Sequence, residues 1–294
     1  MDFFYILKRK SKLGVQLYIV VSAKNLNRGD NKMSLFKKMM ASVGIGATKI
    51  DTVLDSENVV AGAEVTGHFE IKGGNVEQEI DKVYLSVMTK YEKTVEDEEG
   101  EESSYRVDYK LQVIDIPVER TVNSGDELSI PFSFILDAQT PIPTENFPVW
   151  LDAGLDIKNA IDPGDKGMIA VAPHPYMQVV LGALEKLGFV LTEVVNEEAD
   201  FDWKHPFVQE LELKPQGGVF VNSLDELELL YNILDDRLKL WIEVDRRATN
   251  LLGVFAEAMD LDESEVLLEI AQEDLEQGVD HIAEMIKNFI EKFI

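Results

Sequence analysis

Three stretches of this chain carry an apolar residue at every second position over the length of a strand. Val65, Phe69 and Ile71 alternate with Glu64, Thr66, His68 and Glu70. Tyr105, Val107, Tyr109, Leu111 and Val113 alternate with Ser104, Arg106, Asp108, Lys110 and Gln112, and Leu128, Ile130, Phe132, Phe134 and Leu136 repeat the pattern. Period two puts one face of a strand on a core and leaves the other wet, an arrangement no helix can give. Gly73, Gly74 and the acidic run over residues 96–102 supply turn chemistry between these stretches. Several such strands in about 100 residues predict an antiparallel β-sandwich.

The second half repeats the theme. Pro141, Pro143 and Pro148 interrupt strand formation because proline lacks the ladder donor, and they set the expected domain boundary. Strands are expected over 149–157, 168–171, 189–195, 207–213, 227–231 and 238–244, the last two forming a hairpin around Leu234, Asp235 and Asp236. Met177, Val180, Leu184 and Leu187 share one face of a helix that Gly188 stops. Leu275, Val279, Ile282, Ile286, Phe289 and Phe293 step by four and three, the heptad spacing of one helix face, opposite Glu276, Asp280, Glu284 and Glu291. That tail reads as an amphipathic helix, docked on its own domain in preference to serving another subunit. The expected organisation is a sandwich over 33–145, a second with one helix over 146–247, and a helical region over 248–294.

The ends differ in charge. The chain carries 55 acidic against 28 basic side chains, a net charge of −27, which repels phosphate backbones and disfavours nucleic acid as a partner. Residues 1–32 go the other way, with Lys8, Arg9, Lys10, Lys12, Lys24, Arg28 and Lys32 against Asp2 and Asp30. They are expected to be a non-native or upstream-start extension, with Met33 the natural start. Ser34 can cap a short helix over 34–43, with Leu35, Phe36, Met39, Met40 and Val43 on one face and Lys37 and Lys38 on the other.

Signatures of catalysis are missing from the sequence. It has no G-x-S-x-G elbow, P-loop or H-E-x-x-H. Cysteine is absent, which excludes disulfides and thiolate chemistry and fits a reducing cytoplasm. Gly44 and Gly46 lack the third glycine of a dinucleotide fingerprint. The run from Asp162 to Asp165 lacks the carboxylates of a calcium loop and reads as a turn. His68, His174, His205 and His281 have no spacing that builds a zinc site. No cofactor, metal site or catalytic residue is expected.

The segment from Val60 to Gly74, running into Val76–Leu85, resembles two consecutive strands of an arrestin-like amino-terminal domain, and Leu128–Leu136 with Pro141 and Pro143 resembles the edge of that domain at its linker. More closely, the chain resembles the bacterial sporulation-control protein family, on the helix and glycine stretch over 34–47 and on later blocks at 150–157, 160–165, 187–189, 206–210, 224–228 and 243–247. The resemblance covers residue 33 to about residue 293. It implies a mostly β protein of two arrestin-like antiparallel sandwiches, a cytoplasmic regulator or adaptor without catalytic machinery.

The leading expectation is therefore a scaffold that binds protein partners through loops, strand edges and sandwich faces. The contact residues expected are Leu35, Phe36, Lys37, Lys38 and Met39 in the first helix, Glu96, Asp97, Glu98 and Glu99 in the acidic loop, and Ile282, Ile286 and Phe289 in the tail. Two further expectations attach to these elements: weak contact of the basic helix with a membrane surface, as in a peripheral membrane adaptor, and a homodimer through the tail. A competing reading, a hydrolase or carbohydrate-active sandwich using a carboxylate pair, requires a deep cleft lined by acids with raised pKa values.

Overall fold

The computed structural model describes residues 4–10, 16–22, 37–39, 47–56, 58–96, 102–158, 162–199, 204–246 and 267–294. The strands in chain order are β1 (Phe4–Lys10), β2 (Gln16–Ser22), β3 (Lys37–Met39), β4 (Lys49–Leu54), β5 (Val59–Val60), β6 (Glu64–Lys72), β7 (Gln78–Glu96), β8 (Glu102–Val122) and β9 (Glu127–Ile135). There follow β10 (Val149–Ile157), β11 (Gly164–Ile169), β12 (Val171–Ala172), β13 (Phe189–Glu198), β14 (Phe207–Pro215), β15 (Leu224–Ile233), β16 (Arg237–Arg246) and β17 (Leu267–Ala271). The helices are α1 (Pro175–Leu187), α2 (Gln272–Leu275) and α3 (Val279–Ile290). Strands dominate, as the alternating pattern requires.

The chain divides into two compact units. The first is built mainly from Tyr18–Tyr91 and Arg106–Ala172, the second from Glu92–Tyr105 and Pro173–Ile294. The boundary thus falls after Ala172, not at residue 145 as the prolines suggested. The reason is pairing across the chain: β10 returns antiparallel to β7, setting Leu151 opposite Val87 and Leu155 opposite Val83, and β11 then pairs with β10.

In the first unit β6 lies between β4 and β9, while a second sheet runs β8–β7–β10–β11–β3. Phe69, Ile71, Phe132 and Phe134 from one sheet and Val83, Leu85, Leu151 and Leu155 from the other are buried. Phe69 and Phe132 meet at 4.6 Å between centroids. Asp165 is also buried and accepts a 2.7 Å hydrogen bond from the Thr52 backbone N–H, tying β11 to β4. Gly67 has no room for a side chain, since a Cβ there would lie 2.3 Å from the Val53 carbonyl oxygen.

Lys37, Lys38 and Met39 correct the expected helix. They form β3, paired with Met168, Gly167 and Lys166 of β11. A helix of ten residues cannot stand alone in water, and a sheet edge offers the same backbone groups ready partners. Leu35 and Phe36 lie outside the described residues.

The second unit is an antiparallel meander, β13–β14–β15–β16–β17. Leu211, Leu213, Leu227, Leu229, Leu238, Leu240, Ile242 and Ile270 alternate onto one buried face. Helices complete that core. His174, held between two prolines, caps α1, its Nδ1 accepting from the Tyr176 N–H at 3.2 Å, and Gly188 ends the helix at φ 95°. Met177, Val180, Ala183 and Leu184 of α1 and Ile282, Ile286 and Ile290 of α3 are fully buried where the two helices pack together. On the same sheet face Tyr231 donates to Gln209 Oε1 at 3.0 Å, and Gln209 donates to Asn196 at 2.8 Å. This row satisfies three polar side chains inside an apolar layer.

Candidate functional site

The outer face of the first unit's longer sheet carries a groove of about 870 Å³. Three adjacent strands build it: Glu79, Ile80, Asp81 and Lys82 from β7, Asp115, Pro117, Glu119, Arg120 and Thr121 from β8, and Asp156 from β10, with Lys158 just beyond. The register explains why these side chains meet. Asp156 stands directly opposite Lys82, and the register shifts between Asp156 and Ile157, leaving Asp81 as the extra residue on β7. Such a bulge bends its strand and re-aims nearby side chains. Val83 and Leu85 are buried, and the less buried Lys82 and Tyr84 that alternate with them lie on the opposite face.

Charge within the groove is arranged rather than scattered. Lys82 donates to Asp115 at 2.9 Å, and Lys158 reaches both Glu79 at 3.1 Å and Asp81 at 3.3 Å. Each lysine is held above its ordinary pKa, Lys82 chiefly by its bond to Asp115 and Lys158 chiefly by its bond to Glu79. Tyr84, two residues along on the same face, is also raised, by burial first and then by Asp162, Asp152 and Asp156. Glu119 adopts φ 46°, the left-handed region in which a non-glycine residue is uncommon.

The second unit presents a different acidic feature on the sheet face away from its helices. Glu193, Glu212, Glu228 and Glu243 stand in one cross-strand row, each opposite the next. Like charges directly opposed destabilise a sheet. Glu212 and Glu228 are accordingly raised above the usual carboxylate range, by desolvation and then by their acidic neighbours. Glu210, one row along and hydrogen-bonded to Glu197, is pushed up to about 8, mostly by burial. Lys214 relieves one edge through a 2.7 Å pair with Glu226. These raised acids lie side by side on a sheet face, not in the deep cleft that the carboxylate-pair hydrolase reading requires.

The residues singled out in the sequence fare unevenly. Lys37, Lys38 and Met39 are strand residues, which removes the amphipathic helix on which membrane contact was to rest. Glu96 closes β7, and Asp97, Glu98 and Glu99 lie outside the described residues in the connection to β8. Ile282 and Ile286 are 0% exposed and Phe289 is 8% exposed. The tail's apolar face is spent on its own unit, so these three side chains are core and not a free surface for a partner or a second copy. The groove and the glutamate row went unforeseen because both are products of register: no periodicity links residues 82, 115 and 156, or 193, 212, 228 and 243.

The model of the family described as "SpoOM protein" matches residues 36–248. The chain belongs to that family. The matched stretch takes in every groove residue and the whole glutamate row. The sporulation-control protein spo0M of Bacillus subtilis is 37% identical over 262 residues, covering 89% of this chain and 99% of the relative. The crystal structure of Spo0M from Bacillus subtilis superposes with a TM-score of 0.71 at 31% identity, covering 85% of this chain and all of that one. Among the described residues no helix is long and apolar enough to cross a membrane.

Proposed function

We propose that this chain is a sporulation-control regulator that acts as a non-enzymatic, cytoplasmic adaptor, binding protein partners through an arrestin-like scaffold. The observation that carries the reading is the near full-length likeness to the Bacillus subtilis protein whose name states sporulation control. The geometry supports the adaptor part. Lys82 and Lys158 of the groove are paired with its acids across strands, and the acids with raised pKa values sit on a sheet face, an arrangement suited to contact. The experiment is complementation. In a Bacillus subtilis strain deleted for its own spo0M, expression of this chain is expected to restore the heat-resistant spore count toward wild type. A count equal to that of the empty vector, with the chain shown to be present and folded, refutes the reading.

A further inference from the structure

Lys82 and Lys158 are already neutralised inside the groove, by Asp115 and by Glu79 with Asp81. Glu119, Arg120 and Asp156 line the same groove and, among the described residues, have no ion-pair partner. Pro117, exposed on β8, contributes apolar surface between the charges, while Ile80 is buried beneath the groove. We propose that this groove docks an extended segment of a partner protein carrying a lysine or arginine side chain, whose cation is drawn to Asp156 and Glu119 and whose methylene stem passes over Pro117.

Five carboxylates against three cations line the groove, and the chain's net charge of −27 concentrates cationic ligands around it. An acidic segment meets the opposite field. Long basic side chains cover apolar surface with their stems while the charged head stays wet, which suits a groove open to solvent. Arg120 repels a second cation from its own end, so charge sets the register of the segment. The glutamate row of the second unit is acidic too, but it lines no part of this groove, and it serves as the internal control.

The inference rests on the protein-binding reading above, yet its test uses purified full chain and can fail while complementation succeeds. Labelled pentalysine is titrated by fluorescence anisotropy at low and at 0.15 M salt, where exposed charges are screened beyond about 8 Å. Asp156→Asn with Glu119→Gln is expected to weaken binding about tenfold, through loss of two charge-assisted contacts. Glu228→Gln with Glu243→Gln is expected to change it less than about twofold, Arg120→Ala to tighten it about two- to threefold by removing a like charge, and pentaglutamate not to bind. Melting curves confirm that each variant is folded. The proposal is overturned if the groove pair leaves pentalysine affinity unchanged, if the control pair weakens it equally, or if pentaglutamate binds and Arg120→Ala abolishes that binding.

Discussion

Replacing Glu210 by glutamine should stabilise this protein at alkaline pH and do almost nothing at acid pH. The Glu210 carboxyl is pushed from 4.5 to about 8 by burial, by its hydrogen bond to Glu197 and by the charges of Glu197, Glu228 and Glu212. An acid whose folded pKa lies above its unfolded value stabilises the fold fully below the unfolded pKa, here near 4.5, and that contribution is lost as pH rises through about 8. At 1.36 kcal/mol per pH unit, complete shielding would make the loss about 5 kcal/mol. Glu210 is only half-buried, and solvent screening reduces the expected loss to about 1–2 kcal/mol. Glutamine cannot ionise and can still donate to Glu197. Thermal melts of both proteins at pH 5, 7 and 9 should show the variant's advantage grow from near zero to a few degrees. Glu212 and Glu228 titrate in both proteins and largely cancel in the difference. A variant less stable than wild type at pH 9, or a gap that is the same at pH 5 and pH 9, refutes the argument.

Three further changes probe the packing. Asp165→Ala removes the buried acceptor of the Thr52 N–H and should cost about 1–3 kcal/mol in urea unfolding; an unchanged midpoint contradicts the tie between β4 and β11. Gly67→Ala drives a Cβ against the Val53 carbonyl oxygen and the Phe132 ring and should cost about 1–3 kcal/mol or more, read as a lower melting temperature; a neutral result means the strands can part without penalty. Ile286→Ala opens a cavity between α1 and α3 and should cost about 2–5 kcal/mol, read by urea unfolding of the second unit. A loss below about 0.5 kcal/mol, the usual range for surface positions, would mean that Ile286 is not buried in solution.

What was legible in the sequence was whatever depends on local period. The alternation in 64–71 and 128–136 is the alternation of β6 and β9, 105–113 is a strand within β8 although its Tyr105 and Val113 are exposed, and the apolar faces of Met177–Leu187 and of the tail are those that α1 and α3 bury. What escaped depends on partners distant in sequence. The prolines near residue 145 interrupt the chain locally without ending the unit, because β10 goes back to pair with β7. The stretch over 34–43 satisfies helix rules by itself, yet an open edge on β11 takes Lys37–Met39 as a strand. Both the groove and the glutamate row need the registers of three or four strands at once, and shifting any one of them by a single residue would turn those side chains to the other face.

The claim that the first unit's outer groove is a working contact surface can be tested in the cell. Asp156→Lys with Glu119→Lys reverses the two groove carboxylates that, among the described residues, have no ion-pair partner, and touches no core residue. In the Bacillus subtilis strain lacking spo0M, this variant, present at wild-type level and with an unchanged melting temperature, should fail to raise the heat-resistant spore count. A spore count equal to that given by the unaltered chain would contradict the account.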